Sequence, residues 1–178
     1  MLSDSELITR VREGRTRDYQ ALVKRYQESV FALAYRMLGR REEAEDATQD
    51  AFIRAYRSLD AHVPGAEFWP WLRRIAINCC LGRLSREFPI EEIEEIAQDP
   101  FVDSVETQVF KACRMELVRK AISGLPENYR TTVVLRYQED LSVAEIGQML
   151  NESPGTIRVR LHRALKMLAD RLVIDDEV

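Results

Sequence analysis

LSVAEIGQMLNESPGTIRVRLHRALKMLADRL, residues 141–172, contains two signals for the start of a helix. Ser142 is followed three residues later by Glu145, the capping-box spacing in which each residue satisfies a backbone N–H of the other. Ser153 precedes Pro154, so that a capping side chain comes before a proline at the first helical position. The segment therefore predicts two helices that begin close together in the sequence.

These signals predict helices over 142–151 and 154–172, separated by a very short turn. Gly147 lies in the first helix, and its small size allows the two helices to approach closely. Two capped helices joined by so short a turn are typical of a helix-turn-helix. In DNA-binding proteins the second helix of this motif lies in the major groove.

The second helix separates into two faces when its residues are placed 100° apart. The residues expected to face the core are Ile157, Leu161, Ala164, Leu165, Leu168 and Leu172. The residues expected on the opposite face and its flanks are Gly155, Thr156, Arg158, Val159, Arg160, His162, Arg163 and Lys166. A recognition helix needs such a narrow face for base edges, bordered by cations for phosphates.

All of these outer residues except Gly155 are candidate contacts with duplex DNA. Arg158 and Arg163 suit a guanine or a phosphate, and Val159 suits a thymine methyl group. The alternative is an ordinary solvated helix that carries basic residues. The two helix caps and the short turn favour DNA binding over that alternative.

The chain has 178 residues, enough for one medium domain or two small ones, and its net charge is −4. That acidity argues against a nucleic-acid binder, which needs clustered Lys and Arg for phosphate contacts. The charge is unevenly distributed, since residues 1–88 carry +2 and residues 109–172 carry +4, whereas residues 89–108 carry −7 and residues 173–178 carry −3. The sequence thus combines two mildly basic blocks with an acidic segment and an acidic tail.

Apolar side chains recur at helical rather than strand spacing, which predicts an all-α protein. Besides the two helices above, helices are expected over about 4–13, 17–38, 41–59, 68–86, 105–123 and 127–138. The acidic segment contains two prolines and is the natural linker. We therefore expect two small helical domains, 1–87 and 107–178, joined by an acidic linker over 88–106.

Several classes of protein are not expected. No apolar run approaches the roughly 20 residues of a membrane span, and the N-terminus lacks a signal-peptide core, so we expect a cytoplasmic protein. Cys79, Cys80 and Cys113 form neither an even disulfide framework nor a metal-binding pair, and we expect reduced core thiols. His62 and His162 are isolated, and there is no phosphate-binding loop. We expect no enzyme activity, no metal and no cofactor.

The third predicted helix also has two faces. Its expected buried residues are Ala44, Thr48, Ala51, Phe52, Ala55 and Leu59. Its expected outer residues are Asp46, Gln49, Asp50, Ile53 and Arg57. An apolar isoleucine among polar groups suggests a docking surface, although a single exposed isoleucine is common and by itself needs no explanation.

The fourth predicted helix begins FWPWLRRIAIN at residue 68. Its expected inner residues are Trp71, Leu72, Ile75, Ala76 and Cys79. Its expected outer residues are Arg73, Arg74, Ile77 and Asn78. Basic residues near aromatic rings can bind single-stranded nucleic acid, because the rings stack on unpaired bases. An aromatic stripe at helical spacing is more often core, so Trp71 is assigned to the core and Trp69 to neither role.

Three motifs in this order, AEDATQDAFIRAYRSL, FWPWLRRIAIN and the segment from LPENYR to LKML, resemble the bacterial RNA polymerase sigma factors of the extracytoplasmic-function (ECF) group. The resemblance implies a promoter-specificity subunit of core RNA polymerase, with contacts to the β flap and control by an anti-sigma factor. It implies that the third helix docks on the clamp helices of the β′ subunit. The residues implied in this docking are Asp46, Gln49, Asp50 and Ile53.

The resemblance also divides promoter recognition between the two domains. The fourth helix and the turn over 60–68 are implied to open the −10 element and to hold a base flipped from the non-template strand, at a cost of roughly a few kcal/mol of unstacking. The implied −10 contacts are Arg73, Arg74, Asn78, Arg83 and Arg86. The C-terminal domain is implied to bind the −35 element as duplex DNA.

Three other functions are alternatives to a sigma factor. A transcriptional regulator with a LuxR-like C-terminal domain would use the helix-turn-helix without binding the polymerase. A helical enzyme would need a catalytic cluster that the sequence lacks. A helical adaptor that binds only proteins would have no use for the basic face of the last helix. Binding to core polymerase discriminates the sigma factor from the LuxR-like regulator.

Overall fold

The computed structural model describes residues 2–84 and 115–175. These residues form eight α-helices and no strand, so the expected all-α fold is confirmed for the described part of the chain. Contacts divide the chain into two compact units, Met1–Arg86 and Glu87–Val178. The acidic linker predicted over 88–106 lies outside the described residues, and the exact domain bounds stay a prediction.

The N-terminal unit contains four α-helices and two short 3₁₀ turns. They are α1 (Asp4–Arg12), the turn Thr16–Asp18, α2 (Tyr19–Leu38), α3 (Arg41–Arg57), the turn Leu59–Ala61 and α4 (Phe68–Leu84). Ser3 caps α1 in a capping box with Glu6, whose carboxylate accepts a 2.7 Å hydrogen bond from the Ser3 backbone N–H. Gly39 ends α2 in the left-handed conformation, with a φ of 76°.

The core of the N-terminal unit lies where α2, α3 and α4 pack against one another. The face of α3 predicted to be buried is confirmed, except that Thr48 is half-buried. Ile77 is only 1% exposed, so its predicted outward position on α4 was wrong. Because α2 and α3 both pack on α4, its buried sector is wider than that of a helix with one neighbour. Trp71 and Ile75, predicted on the inner side of α4, are half-buried.

The C-terminal unit is organised around its last helix. Its elements are α5 (Met115–Ser123), α6 (Glu127–Val133), the π-helical turn Val134–Gln138, α7 (Val143–Leu150) and α8 (Pro154–Asp175). Helix α8 contacts α5, α6 and α7. All the α8 residues predicted to face the core, from Ile157 to Leu172, are buried, which confirms that face.

One helix of the C-terminal unit changes its hydrogen-bond pattern before it ends. The helix predicted over 127–138 becomes π-helical at Val134, and the Glu139 N–H donates to the Val134 carbonyl five residues earlier at 3.1 Å. The sequence analysis predicted one regular helix over 127–138 and did not predict this change. The helix predicted over 105–123 is described only from Met115 onward.

Candidate functional site

The α7–α8 segment is a helix-turn-helix whose turn consists of residues 151–153. At the start of α7, the Glu145 N–H donates to Ser142 Oγ at 3.2 Å, and the Glu145 carboxylate accepts from the Ser142 N–H at 2.8 Å. At the start of α8, Ser153 Oγ accepts from the Thr156 N–H at 3.1 Å. Both predicted helix caps are therefore confirmed.

The backbone of this turn passes very close to α7. A Cβ atom added at Gly147 would lie 2.8 Å from the Glu152 carbonyl oxygen, a distance that real Cβ atoms essentially never show. The Glu152 N–H donates to the Gly147 carbonyl at 2.9 Å. Asn151 reverses the chain in the left-handed conformation, with a φ of 55°. The prediction that Gly147 permits a close approach is confirmed.

The exposed sector of α8 is centred on His162. Arg158 and Lys166 are exposed, and Thr156, His162 and Arg163 are half-buried. At about 100° per residue, Arg158, His162 and Lys166 form an exposed sector about 80° wide, whereas Arg163 and Thr156 lie about 60° and 80° beyond Lys166 around the helix. This width suits one groove of a duplex, with a cation at each side.

Two residues predicted on this face are placed differently. Val159 is only 9% exposed, so its predicted place on the outer face was wrong. Several helices pack on α8 and cover part of the surface that a one-sided helical wheel leaves open. Arg160 forms an ion pair with Glu152 at 2.8 Å, and its side chain is only 13% exposed. This pair ties the turn to α8.

The outer face of α3 carries the residues predicted for docking. Asp46, Gln49 and Ile53 are exposed, and Asp50 is partly exposed. Ile53 is 49% exposed. The predicted outer position of these four side chains is confirmed.

Ile53 also lines an open groove of about 460 Å³, together with Tyr19, Phe52, Tyr56 and Arg57. The Tyr19 hydroxyl donates to the Phe52 carbonyl at 2.8 Å, and burial, with Tyr56 nearby, raises the pKa of Tyr19. The rings of Tyr19 and Tyr56 meet edge-on, with centroids 5.0 Å apart. Sequence reasoning missed both tyrosines. Tyr56 lies one turn after Ile53 and could have been found, whereas Tyr19 comes from another helix and gave no signal.

The structure brings together two residues that were predicted for different roles. Arg83 Nη2 of α4 lies 2.7 Å from Asp50 Oδ2 of α3. Arg83 was predicted to contact the −10 element, and Asp50 was predicted to contact the polymerase. Their ion pair joins the two predicted surfaces directly.

Three other predicted −10 residues, Arg73, Arg74 and Asn78, lie on α4. Arg74 and Asn78 are exposed and Arg73 is half-buried, whereas Arg86 lies outside the described residues. Trp69, which was assigned to neither role, is half-buried and stacks on Tyr26 with ring centroids 5.8 Å apart and an interplanar angle of 9°. That stacking fixes the orientation of the indole at the start of α4.

The turn between α3 and α4 has a buried base and an exposed tip. His62 is buried, and its ring lies edge-on to Trp71 and Phe68, with centroids 5.2 and 5.9 Å apart. Residues 63–67 are exposed, and Val63 is 66% exposed. The tip is therefore accessible on the same unit as Arg74 and Asn78.

The two cysteines of α4 are buried thiols, as expected. Burial raises the pKa of Cys79, and it raises the pKa of Cys80 to about 12. Within the described ranges, no group of three His, Cys, Asp or Glu side chains could hold a metal ion. None of the described helices is long and apolar enough to cross a membrane.

Two family models of sigma factors match this chain. The Sigma-70 region 2 model matches residues 22–87, and the Sigma-70 region 4 model matches residues 115–168. The ECF RNA polymerase sigma factor SigW of Bacillus subtilis is 35% identical over 176 residues, which cover 93% of this chain and 94% of that protein. The chain belongs to the ECF RNA polymerase sigma factors. The resemblance inferred from the three sequence motifs is confirmed.

Other sigma factors are similar over nearly the whole length of this ECF sigma factor. The sigma-E factor of Haemophilus influenzae is 32% identical and covers 96% of each chain, and the sigma-H factor of Pseudomonas aeruginosa is 33% identical and covers 90% of this chain and 89% of that protein. Region 2 matches most of the N-terminal unit, which a LuxR-like regulator does not explain. Sigma factors are transcription initiation factors, and this chain is one of that class.

Two solved structures share the fold of this sigma factor. The structure of CnrH in complex with the cytosolic domain of CnrY has a TM-score of 0.54 and 24% identity, covering 97% of this chain and 98% of that one. The sigma factor RpoE of Bartonella quintana, solved with the anti-sigma factor NepR, has a TM-score of 0.56 and 21% identity, covering 89% of this chain and 98% of that one.

Proposed function

We propose that this ECF sigma factor binds core RNA polymerase through the outer face of α3 and directs initiation at specific promoters. The observation that carries the proposal is the exposed Ile53, which lies beside an apolar groove and among Asp46, Gln49 and Asp50. An apolar anchor ringed by polar groups is typical of an interface hot spot. The β′ clamp helices are the proposed partner of this face, and the β flap is the proposed second contact.

In this proposal, residues 1–87 bind and open the −10 element. Arg74 and Asn78 support the assignment because they are exposed on one side of α4, near the exposed tip of the preceding turn. The proposed contacts with the −10 element are Arg73, Arg74, Asn78 and Arg86. Residues 88–106 are the proposed linker.

Residues 107–178 bind the −35 element as duplex DNA in the same proposal. The exposed sector of α8 supports this assignment, since it places cations at both edges of a narrow face. The proposed contacts are Thr156, Arg158, His162, Arg163 and Lys166. Arg160 holds the turn through Glu152 and acts as a positioning residue.

We also propose that an anti-sigma factor holds this protein inactive. Support comes from RpoE of Bartonella quintana, whose structure contains the anti-sigma factor NepR. Purification of the tagged sigma factor from its native host should recover a regulator in stoichiometric amount. Recovery of the sigma factor with core polymerase alone, under conditions where its promoters are silent, would contradict this part.

The decisive experiment measures binding to core polymerase and promoter-dependent transcription in vitro. Ile53→Ser should weaken polymerase binding about tenfold or more, because truncating an interface anchor costs about 1.4 kcal/mol or more. Val63→Ser is the matched control, since Val63 is also an exposed aliphatic residue but lies outside α3, and it should leave polymerase binding unchanged. If the wild-type chain neither binds core polymerase nor directs any initiation, the proposed function is wrong.

A further inference from the structure

Arg12 of α1 reaches the backbone of the turn that follows α3. Its Nη2 donates to the carbonyl oxygens of Leu59 at 2.7 Å, His62 at 2.6 Å and Asp60 at 3.4 Å. Its Nε lies 3.7 Å from Asp60 Oδ1. One guanidinium thus binds three carbonyl oxygens of the same turn, and hydrogen bonds from a charged donor are stronger than neutral ones.

The opposite side of the same turn is held by aromatic packing. The His62 ring is buried against Phe68 and Trp71 of α4. Arg12 therefore fixes the backbone from the α1 side, and His62 fixes the turn from the α4 side. Between these anchors and α4, residues 63–67 stay exposed, with Gly65 in the left-handed region at a φ of 83°.

The neighbouring arginine of α1 has no such role. Arg10 lies on the same helix and forms an ion pair with Asp18 at 3.9 Å, with both side chains substantially exposed. A pair of this kind contributes little to stability. Arg10 therefore provides a matched control for loss of an arginine from α1.

We propose that Arg12 is a positioning residue for promoter opening, which presents the 60–68 turn to an unpaired base of the −10 element. The inference rests on the proposed function and on the capture of a flipped base by the 60–68 turn, which the resemblance to ECF sigma factors implies. A turn held in its binding conformation avoids the ordering cost that a mobile turn pays on contact with DNA. In this proposal Arg12 acts on single-stranded DNA through the backbone of Leu59, Asp60 and His62, to which its guanidinium is hydrogen-bonded.

The test measures the affinity of holoenzyme for a single-stranded oligonucleotide that carries the non-template −10 element of a mapped promoter. A second oligonucleotide has an abasic site at the captured base. Arg12→Ala should weaken binding to the intact oligonucleotide about tenfold, and it should change binding to the abasic one by less than about twofold. Arg10→Ala should change neither affinity.

Two further measurements separate the possible failures. Core polymerase binding by Arg12→Ala should equal that of the wild type, because Arg12 lies outside the α3 face. Arg12→Lys keeps the charge but lacks the planar fork of donors, so it should give a smaller loss on the intact oligonucleotide. This variant decides the result if Arg12→Ala does not fold.

An equal loss of affinity for both oligonucleotides would overturn the role of Arg12. The role would also be overturned if the wild type discriminates between the two oligonucleotides and neither Arg12 variant loses affinity. Failure of the wild-type holoenzyme to bind the intact oligonucleotide would instead contradict the proposed function itself.

Discussion

The two units hold their exposed turns by different means. The α7–α8 turn has three residues and is fixed by groups close to it in the sequence, namely the contact of Gly147 with Glu152, the left-handed Asn151 and the ion pair of Glu152 with Arg160. The turn between α3 and α4 spans residues 58–67 and is fixed by side chains from elsewhere, Arg12 of α1 and the ring of His62.

Because of this difference, the distance at which a substitution affects the turn should differ between the two units. A short turn made rigid by its own backbone depends on nearby residues, so distant changes in the unit should leave it intact. A long turn has many backbone conformations to lose, and remote side chains must restrict them. The N-terminal unit should therefore be sensitive to changes far from its proposed DNA contacts, whereas the C-terminal unit should not.

The largest effect is expected where the backbone of the short turn contacts α7. Gly147→Ala should destabilise the C-terminal unit by about 1–3 kcal/mol, because the new methyl group overlaps the Glu152 carbonyl. Hydrogen exchange resolved to peptides of each unit should show faster exchange in the C-terminal unit, most of all in α7 and α8, and unchanged exchange in the N-terminal unit.

Gly82→Ala is the matched control in the N-terminal unit. A Cβ there meets no heavy atom of the described residues within 4 Å, and alanine favours helix, so this change should stabilise α4 by up to about 1 kcal/mol. Unchanged exchange in α7 and α8 of Gly147→Ala would show that the short turn tolerates a side chain and would end the contrast between the units.

A smaller effect is expected for two ion pairs, one in each unit, that connect neighbouring elements of the unit. Double-mutant cycles should give a coupling energy of about 1 kcal/mol for Glu152–Arg160, whose arginine is largely buried, and about 0.5 kcal/mol for the more exposed Asp50–Arg83 pair. Urea unfolding of single and double neutral variants gives both values. A larger coupling for Asp50–Arg83 would reverse the expected order and show that the burial of the arginine does not decide the strength of these two pairs.

The smallest effect concerns the capping box of α1. Hydrogen bonds from the Ser3 backbone and hydroxyl lower the pKa of Glu6 below its ordinary 4.5. Because the folded pKa is depressed, the carboxylate stabilises the unit above pH 4.5, and this contribution disappears as the pH falls through the folded pKa.

The difference in Tm between wild type and Glu6→Gln should therefore shrink as the pH is lowered from about 6 to about 3. A difference that does not change with pH would mean that the Glu6 charge has no part in the cap.

Local signals in the sequence predicted the short turn well. Ser142, Glu145, Ser153 and Gly147 act within a few residues of one another, so their spacing alone indicates their contacts. The buried and exposed faces of α3 and α8 were predicted from helical periodicity, which is also a local property of the sequence. Val159 and Ile77 were misplaced because several helices pack on α8 and α4, and a helical wheel does not count neighbours.

Long-range contacts gave no such signal. Arg12 lies 47 residues before Leu59, and Tyr19 lies 33 residues before Phe52. Nothing in the local pattern of α1 distinguishes Arg12 from Arg10, although only Arg12 reaches the turn. The partnership of Asp50 with Arg83 was hidden in the same way, since it depends on how α3 packs on α4.

The buried thiols of α4 have a practical consequence. Only the thiolate reacts readily with alkylating reagents and oxidants, and a thiol whose pKa is about 12, as for Cys80, is almost wholly protonated at neutral pH. Cys79 and Cys80 should therefore be labelled only when α4 opens. In a chain with Cys113→Ser, their labelling rate therefore measures how often α4, the helix that carries Arg74 and Asn78, opens.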